Sequence, residues 1–185
     1  MNRDIIDACK NQDIETRTLL TFISVETGGM GFDSKTGKIT IQFEPVWFKK
    51  KAPYAPSGLW SVNKVDVQAK EWLAFNDAFS KNKDAAMQAT SIGLGQIMGL
   101  HYKRLGYNSV NEMWDDAKKG IPQQVGQIVK FIKTDKNLEL ALKNRNWSEV
   151  AKLYNGAGYK ELAKKYNRLP YDQSMQIAYD KFKNI

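Results

Sequence analysis

The sequence predicts a mainly helical α+β chain of about eight or nine helices with one small β-hairpin. Three observations lead there. Apolar residues recur at helical spacing along most of the 185 residues. One short stretch, Ile39-Thr40-Ile41-Gln42-Phe43, alternates with the period of two of a strand. Hydrophobic residues make up 42% of the chain, enough to build a core at this length. No Gly/Ser-rich or Pro-rich linker, internal repeat or low-complexity tract interrupts it, so one domain over residues 1–185 is expected.

The elements follow in order. Between Asp13 and Glu26, Leu19, Phe22, Ile23 and Glu26 fall at i, i+3, i+4 and i+7, and Gly28-Gly29 ends that helix. Ser34 to Lys38 is turn-like, Ile39 to Phe43 is the strand, and Phe32 with its neighbours is its expected partner. Pro45 opens a short helix, Val46 to Lys50, in the first-turn position that proline favours. Pro53 to Ser61 reads as a loop. Asp66 to Lys81 reads as an amphipathic helix, with Trp72, Phe75 and Phe79 at i, i+3 and i+7. Asp84 is placed to cap a helix from Ala85 to Thr90, and Ser91 to Gln96 reads as a bend between helices. Further helices are expected at Val110–Lys118 after a Ser109 cap, from Pro122 to about Lys133, at Leu138–Lys143, and to Tyr154 after a Ser148 cap. Asn155-Gly156-Ala157-Gly158 breaks the last of these, and Tyr171 to Phe182 makes the final helix.

Composition narrows the function classes. Lys and Arg number 28 against 20 Asp and Glu, a net charge of +8. A basic surface speeds encounter with polyanions, among them nucleic acids, anionic lipids and bacterial walls, without choosing between them. The triplet Lys49-Lys50-Lys51 reads as a solvated helix end. Cys9 is the single cysteine, so no intramolecular disulfide forms and a small buried hydrophobe is expected there. A thiol nucleophile would need His101, the only histidine, and no local signature accompanies that pair. One His without an acidic cluster at ligand spacing also argues against a zinc site, and neither a phosphate loop nor a dinucleotide fingerprint occurs. Charges interrupt the N-terminus too often for a signal peptide, and no apolar run reaches the ~20 residues of a membrane helix. Synthesis as a soluble cytoplasmic chain is therefore expected.

Three segments carry chemistry. Glu26 continues an apolar stripe in Val25-Glu26-Thr27-Gly28-Gly29. Burial disfavours the charged carboxylate, raises its pKa and keeps a proton available near neutrality. In Ser91-Ile92-Gly93-Leu94-Gly95-Gln96-Ile97-Met98 two glycines allow close backbone approach, and Gln96 offers a donor and an acceptor suited to a sugar hydroxyl or acetamide. In Ala151 to Tyr159, Tyr154 can donate a hydroxyl to a carboxylate or sugar beside the Asn155-Gly156 break. Each segment alone is also what an ordinary helix end or tight turn looks like.

Taken in order, these segments resemble the goose-type lysozyme and lytic transglycosylase superfamily: a Glu at a helix end, a Gly-Leu-X-Gln bend, and a Tyr-Asn-X-X-Gly break. Within it the chain is most similar to the N-acetylmuramidase family of phage endolysins, through Phe22 to Gly29, Ile41 to Glu44, Ser91 to Gly99 and Trp147 to Tyr159. The resemblance spans roughly Leu19 to Tyr179 and implies a lysozyme-like fold with the hairpin beside the catalytic helix. It implies Glu26 as the catalytic acid, and Gln96, Tyr154, Asn155, Gly93 and Ser91 as substrate-binding residues. Two positions depart from the common pattern: Thr27 stands where Ser often follows the acid, and Gly95 where Met often precedes the Gln.

Glu44, in a Phe43-Glu44 pair at the end of the strand, fits the second carboxylate. Inverting glycosidases place their two carboxyls roughly 6.5–9.5 Å apart to seat a water. The competing reading of Glu44 is a partner for a neighbouring cation or backbone amide. Asp33 and Asp66 are weaker candidates, in turn and cap positions. The expected activity is cleavage between N-acetylmuramic acid and N-acetylglucosamine, without cofactor or metal. Expected partners are peptidoglycan strands and the anionic bacterial envelope, not nucleic acid, with the chain a monomer that reaches the wall after release through the membrane. Two alternatives stay open: a lytic transglycosylase, which needs no water-activating carboxylate, and a non-catalytic wall-binding module.

Overall fold

A computed structural model describes residues 1–52 and 67–185. The helices in chain order are α1 (Arg3–Lys10), α2 (Thr16–Thr27), α3 (Pro45–Lys51), α4 (Gln68–Lys81), α5 (Lys83–Gln88), α6 (Val110–Lys118), α7 (Ile121–Lys133), α8 (Lys136–Lys143), α9 (Trp147–Tyr154), α10 (Tyr159–Lys165) and α11 (Tyr171–Lys181). The strands are β1 (Ile41–Phe43), β2 (Thr90–Ile92) and β3 (Ile97–Met98), and Gly99–His101 forms a turn of 3-10 helix. The chain groups into two compact units. One comprises Met1–Gly29 with Val125–Ile185, the other Met30–Gln124. The boundary falls within the first turn of α7.

The first unit is a helical cluster around α2. Six consecutive residues of α2, Thr18 to Ile23, are buried. A helix buried on all sides is a core helix. It packs against α11 and α1, and α9 packs against α8 and α11. Leu19, Leu20, Phe22 and Ile23 are fully enclosed, each worth about 1.5–3 kcal/mol of burial. Gly28 stops α2 in the left-handed region at φ 62°, donating its N–H to Ser24 O at 3.0 Å. That stop leaves Glu26 in the last turn of the helix.

The second unit is an α+β cluster on a sheet of order β1-β2-β3, antiparallel throughout. Ile41 pairs with Ile92, Gln42 with Ser91 and Phe43 with Thr90. The outer edge of β1 is not left open. Gln68 of α4 donates to Ile41 O and accepts from Ile41 N, both at 2.9 Å, and Glu71 accepts from Phe43 N at 2.7 Å. Two side chains one helical turn apart thus complete the hydrogen bonds a neighbouring strand would have made, which a buried edge requires. Behind the sheet, Phe75 stacks on Trp114 with ring centroids 5.0 Å apart, and the Trp114 indole N–H donates to Met87 O at 3.2 Å.

Most elements fall where their patterns predict, with informative exceptions. The described residues hold eleven α-helices against the expected eight or nine, the two additions being α1, which buries Ile5, Ala8 and Cys9 on one face, and the seven-residue α10. In α10 only Tyr159 and Ala163 are buried. Ser91–Gln96 is the turning half of a β2–β3 hairpin, not a bend between helices, since strands of two or three residues carry no visible period. Asn82 caps α5, accepting from Ala85 N at 2.9 Å, where Asp84 was expected, and α5 ends at Gln88. Asn146 caps α9, where Ser148 was expected. Phe32 meets Ile39 as a single antiparallel bridge. The expected Pro53–Ser61 loop and Asp66 lie outside the described residues. Among the described residues, no helix is long and apolar enough to cross a membrane.

Candidate active site

The first unit builds its polar centre around Glu26. The residue is half-buried in the last turn of α2, and Tyr171 at the start of α11 donates its hydroxyl to Glu26 Oε1. Burial pushes the Glu26 carboxyl up to about 7, against the smaller opposing pull of the Tyr171 hydrogen bond and the Arg168 charge. The carbonyl end of a helix is also the unfavourable pole for a carboxylate. A carboxyl near 7 that keeps partial access to solvent can both hold a proton and hand it over.

Tyr154 stands beside this centre. Its ring meets Phe22 edge-on at 4.7 Å, Phe131 at 5.6 Å and Tyr171 at 6.3 Å between centroids. Burial, then the nearby Glu26 charge, push its phenol well above the ordinary range, and the same two influences raise Tyr171. Both phenols therefore remain protonated donors. Of the sequence-identified residues, Glu26 and Tyr154 come together here, with Asn155 as the exposed C-cap of α9. Tyr171, the direct donor to the acid, was not identified from sequence. It is 145 residues from Glu26, and no local pattern marks it.

The second unit holds the hairpin turn. Gly93 adopts φ 66°, and a side chain there would press on Gln124. Gln96 adopts φ 45°, a left-handed conformation that a residue with a Cβ takes only under constraint. Its side-chain amide donates to Gly93 O at 2.9 Å, closing the turn on itself. Gln124 supports the turn from within the fold, accepting from Leu94 N at 2.9 Å and donating to Ala117 O at 3.0 Å. Ser91 is buried in β2, opposite Gln42 and Met98. Ser91, Gly93 and Gln96 thus form one local group, with Gln124 a supporting residue that its helical position did not reveal.

Glu44 lies in the second unit at the junction of β1 and α3. Its N–H donates to Ala89 O at 2.8 Å, and its carbonyl accepts from Trp47 and Phe48 at 3.0 Å. The half-buried carboxylate accepts from Gln42 Nε2 at 2.9 Å. Behind it, Glu71 is only 2% exposed, and burial first, with the Glu44 charge adding to it, pushes its carboxyl up to about 7. Glu71 shares a helical stripe with Ala74, Phe75 and Ala78, so the reasoning that singles out Glu26 would also have found it. Asp33 accepts from Thr36 and Lys35 within its turn. His101 is half-buried, and burial with the Arg104 charge lowers its pKa. Cys9 is 0% exposed, and burial pushes its thiol up to about 12, far from a nucleophile's range.

The mainly helical fold with its small antiparallel sheet is of the lysozyme-like class. The family model described as N-acetylmuramidase matches residues 15–183, and the chain belongs to that family. Among solved structures it is similar to the endolysin of Burkholderia phage AP3, with 27% sequence identity and a TM-score of 0.75, over 97% of this chain and 67% of that one. No curated protein matches it.

Proposed function

We propose that this chain hydrolyses the glycosidic bond between N-acetylmuramic acid and N-acetylglucosamine, with Glu26 as the general acid. The observation that carries the reading is a part-buried carboxyl held near pKa 7 by burial and oriented by the Tyr171 hydroxyl. In the step, the Glu26 proton passes to the bridging oxygen as the bond to the anomeric carbon breaks. Water adds to that carbon, and its proton goes to Glu44. Such acid catalysis is worth about 10²–10⁴-fold. Gln96, Gly93 and Ser91 of the turn, with Tyr154 and Asn155, hold the sugars. Made in a bacterial host, the chain reaches the wall once the membrane has been breached.

The test is turbidity loss of purified peptidoglycan with wild type and Glu26→Gln, with product masses. Glu26→Gln should lose about 10²–10⁴-fold in rate while remaining folded. Retained activity in that variant would defeat the reading. Products lighter by one water would mean that the muramic 6-hydroxyl attacks in place of water, making the enzyme a lytic transglycosylase. Glycan binding without cleavage by wild type would leave only a wall-binding module.

A further inference from the structure

Tyr171 reaches Glu26 from the first turn of α11. The first N–H groups of a helix have no partner within it, so a first turn takes its orientation from its neighbours. Pro170 holds the capping position of α11 and supplies no side-chain cap. The neighbour that grips this turn is Tyr159. Its hydroxyl donates to Asp172 Oδ2 at 2.9 Å, and Lys160 Nζ stands 4.0 Å from the same oxygen. Asp172 Oδ1 accepts from the Gln173 N–H at 2.9 Å, so both carboxylate oxygens are engaged. The clasp is enclosed, with Tyr159 3% exposed.

Tyr159 also belongs to the other segment beside the acid. It opens α10 directly after the Asn155–Gly158 break, and its N–H reaches Gly156 O at 3.1 Å. That break follows Tyr154, whose ring centroid lies 6.3 Å from that of Tyr171. The Tyr159–Asp172 hydrogen bond therefore ties the segment carrying Tyr154 to the turn carrying Tyr171. Successive side chains of a helix diverge by about 100°. With Tyr171 on Glu26 and Asp172 on Tyr159, the turn is braced in two directions. Removing one brace frees it to rotate or fray about the other.

We infer that Tyr159 and Asp172 are positioning residues: their hydrogen bond fixes the first turn of α11 so that the Tyr171 hydroxyl stays on Glu26. The effect on cleavage rests on the reading of Glu26 as the general acid, whereas the positioning itself is measurable without cleavage. A clasp that merely joined α10 to α11 would change stability and leave the Glu26 proton as it was.

The experiment follows the Glu26 carboxyl carbon by carbon-13 NMR titration, assigned with Glu26→Gln. It compares wild type, Tyr159→Phe, Tyr171→Phe and the double variant, with kcat and KM on glycan measured alongside. The other ionisable groups acting on Glu26, Tyr154 and Arg168, are untouched in all of them. The Tyr171 hydrogen bond draws the Glu26 carboxyl down, so its loosening raises the midpoint. Tyr159→Phe should therefore move the midpoint upward, by no more than Tyr171→Phe does, and add nothing in the double variant. It should lower kcat about three- to tenfold, with KM within about twofold, inside the roughly 10²-fold cost of a 1 Å misplacement. Asp172→Asn, whose amide oxygen still accepts from the Tyr159 hydroxyl, should keep the wild-type midpoint, and Asp172→Ala should match Tyr159→Phe.

An unmoved midpoint in Tyr159→Phe overturns the inference. So does a shift of the same size with and without the Tyr171 hydroxyl, since the clasp would then act on Glu26 by another route. Phe keeps the packed ring of Tyr159; should that variant fail to fold, the Asp172→Asn and Asp172→Ala pair decides by the same midpoint. Midpoints that shift as expected in a protein that cleaves no glycan would defeat the glycosidase reading and leave the positioning standing.

Discussion

Glu26 and Glu71 invite comparison. Each sits on the apolar stripe of its helix, Glu26 with Leu19, Phe22 and Ile23, and Glu71 with Ala74, Phe75 and Ala78. Burial pushes each carboxyl up to about 7. Their partners differ. Glu26 receives a hydroxyl from Tyr171 and keeps a partly open face. Glu71 is sealed, receives the Phe43 backbone N–H and, among the described residues, leaves Oε1 buried without a hydrogen-bond partner. A raised pKa alone therefore does not make a catalytic acid. Access to the proton does, and in Glu71 the same physics serves a sheet edge.

The largest expected effect separates the two directly. Glu26→Gln should lose about 10²–10⁴-fold in cleavage rate, whereas Glu71→Gln, whose amide oxygen still accepts from Phe43 N–H, should stay within about threefold. Equal losses in a glycan-cleavage assay would give the sealed carboxyl a part in the reaction and end the distinction.

Stability gives the second test, and here the two should behave alike. A carboxyl at 4.5 in the unfolded chain and about 7 in the fold binds its proton more tightly when folded. Its contribution is fully present below pH 4.5 and is lost as pH rises through 7. Each Gln substitution should therefore leave stability at pH 4 nearly unchanged and raise it at pH 8, by up to about 2–3 kcal/mol. Urea denaturation at the two pH values measures this. A Glu26→Gln protein no more stable than wild type at pH 8 would mean that the carboxyl ionises without penalty.

Tyr171 sharpens the account of Glu26 alone. Its hydrogen bond draws the carboxyl down, so Tyr171→Phe should shift the alkaline limb of the rate profile to higher pH while lowering the maximum rate through looser orientation. An unmoved limb would show that the hydroxyl does not govern the proton.

How far these features could be read from sequence follows from their range. Leu19, Phe22, Ile23 and Glu26 lie on one helix, so their spacing exposed both the core and the acid. Gly93 and Gln96 lie in one turn, so the bend was visible, although the strands flanking it were too short to show a period. Tyr171 reaches Glu26 across 145 residues, and Gln124 reaches Leu94 across 30. No local pattern encodes such contacts. Glu71 is legible in principle, but the aromatic spacing of Trp72, Phe75 and Phe79 marks a different face of α4, of which only Phe75 is buried.

The smallest expected effect compares two glycines at nearly one backbone angle. Gly28 has φ 62° and open space where a Cβ would go, whereas Gly93 has φ 66° and Gln124 atoms within 2.8–3.2 Å of that point. Gly28→Ala should cost about 1 kcal/mol, the strain of a left-handed alanine with no clash added. Gly93→Ala carries the same strain and must also displace Gln124, which holds Leu94 N–H. It should therefore cost about 1 kcal/mol more than Gly28→Ala and raise KM for glycan, which Gly28→Ala should not. Thermal melts paired with kinetics measure both differences. Equal penalties with unchanged KM would mean that the turn repacks around Gln124 freely, and that its left-handed Gln96 is not held in place by that contact.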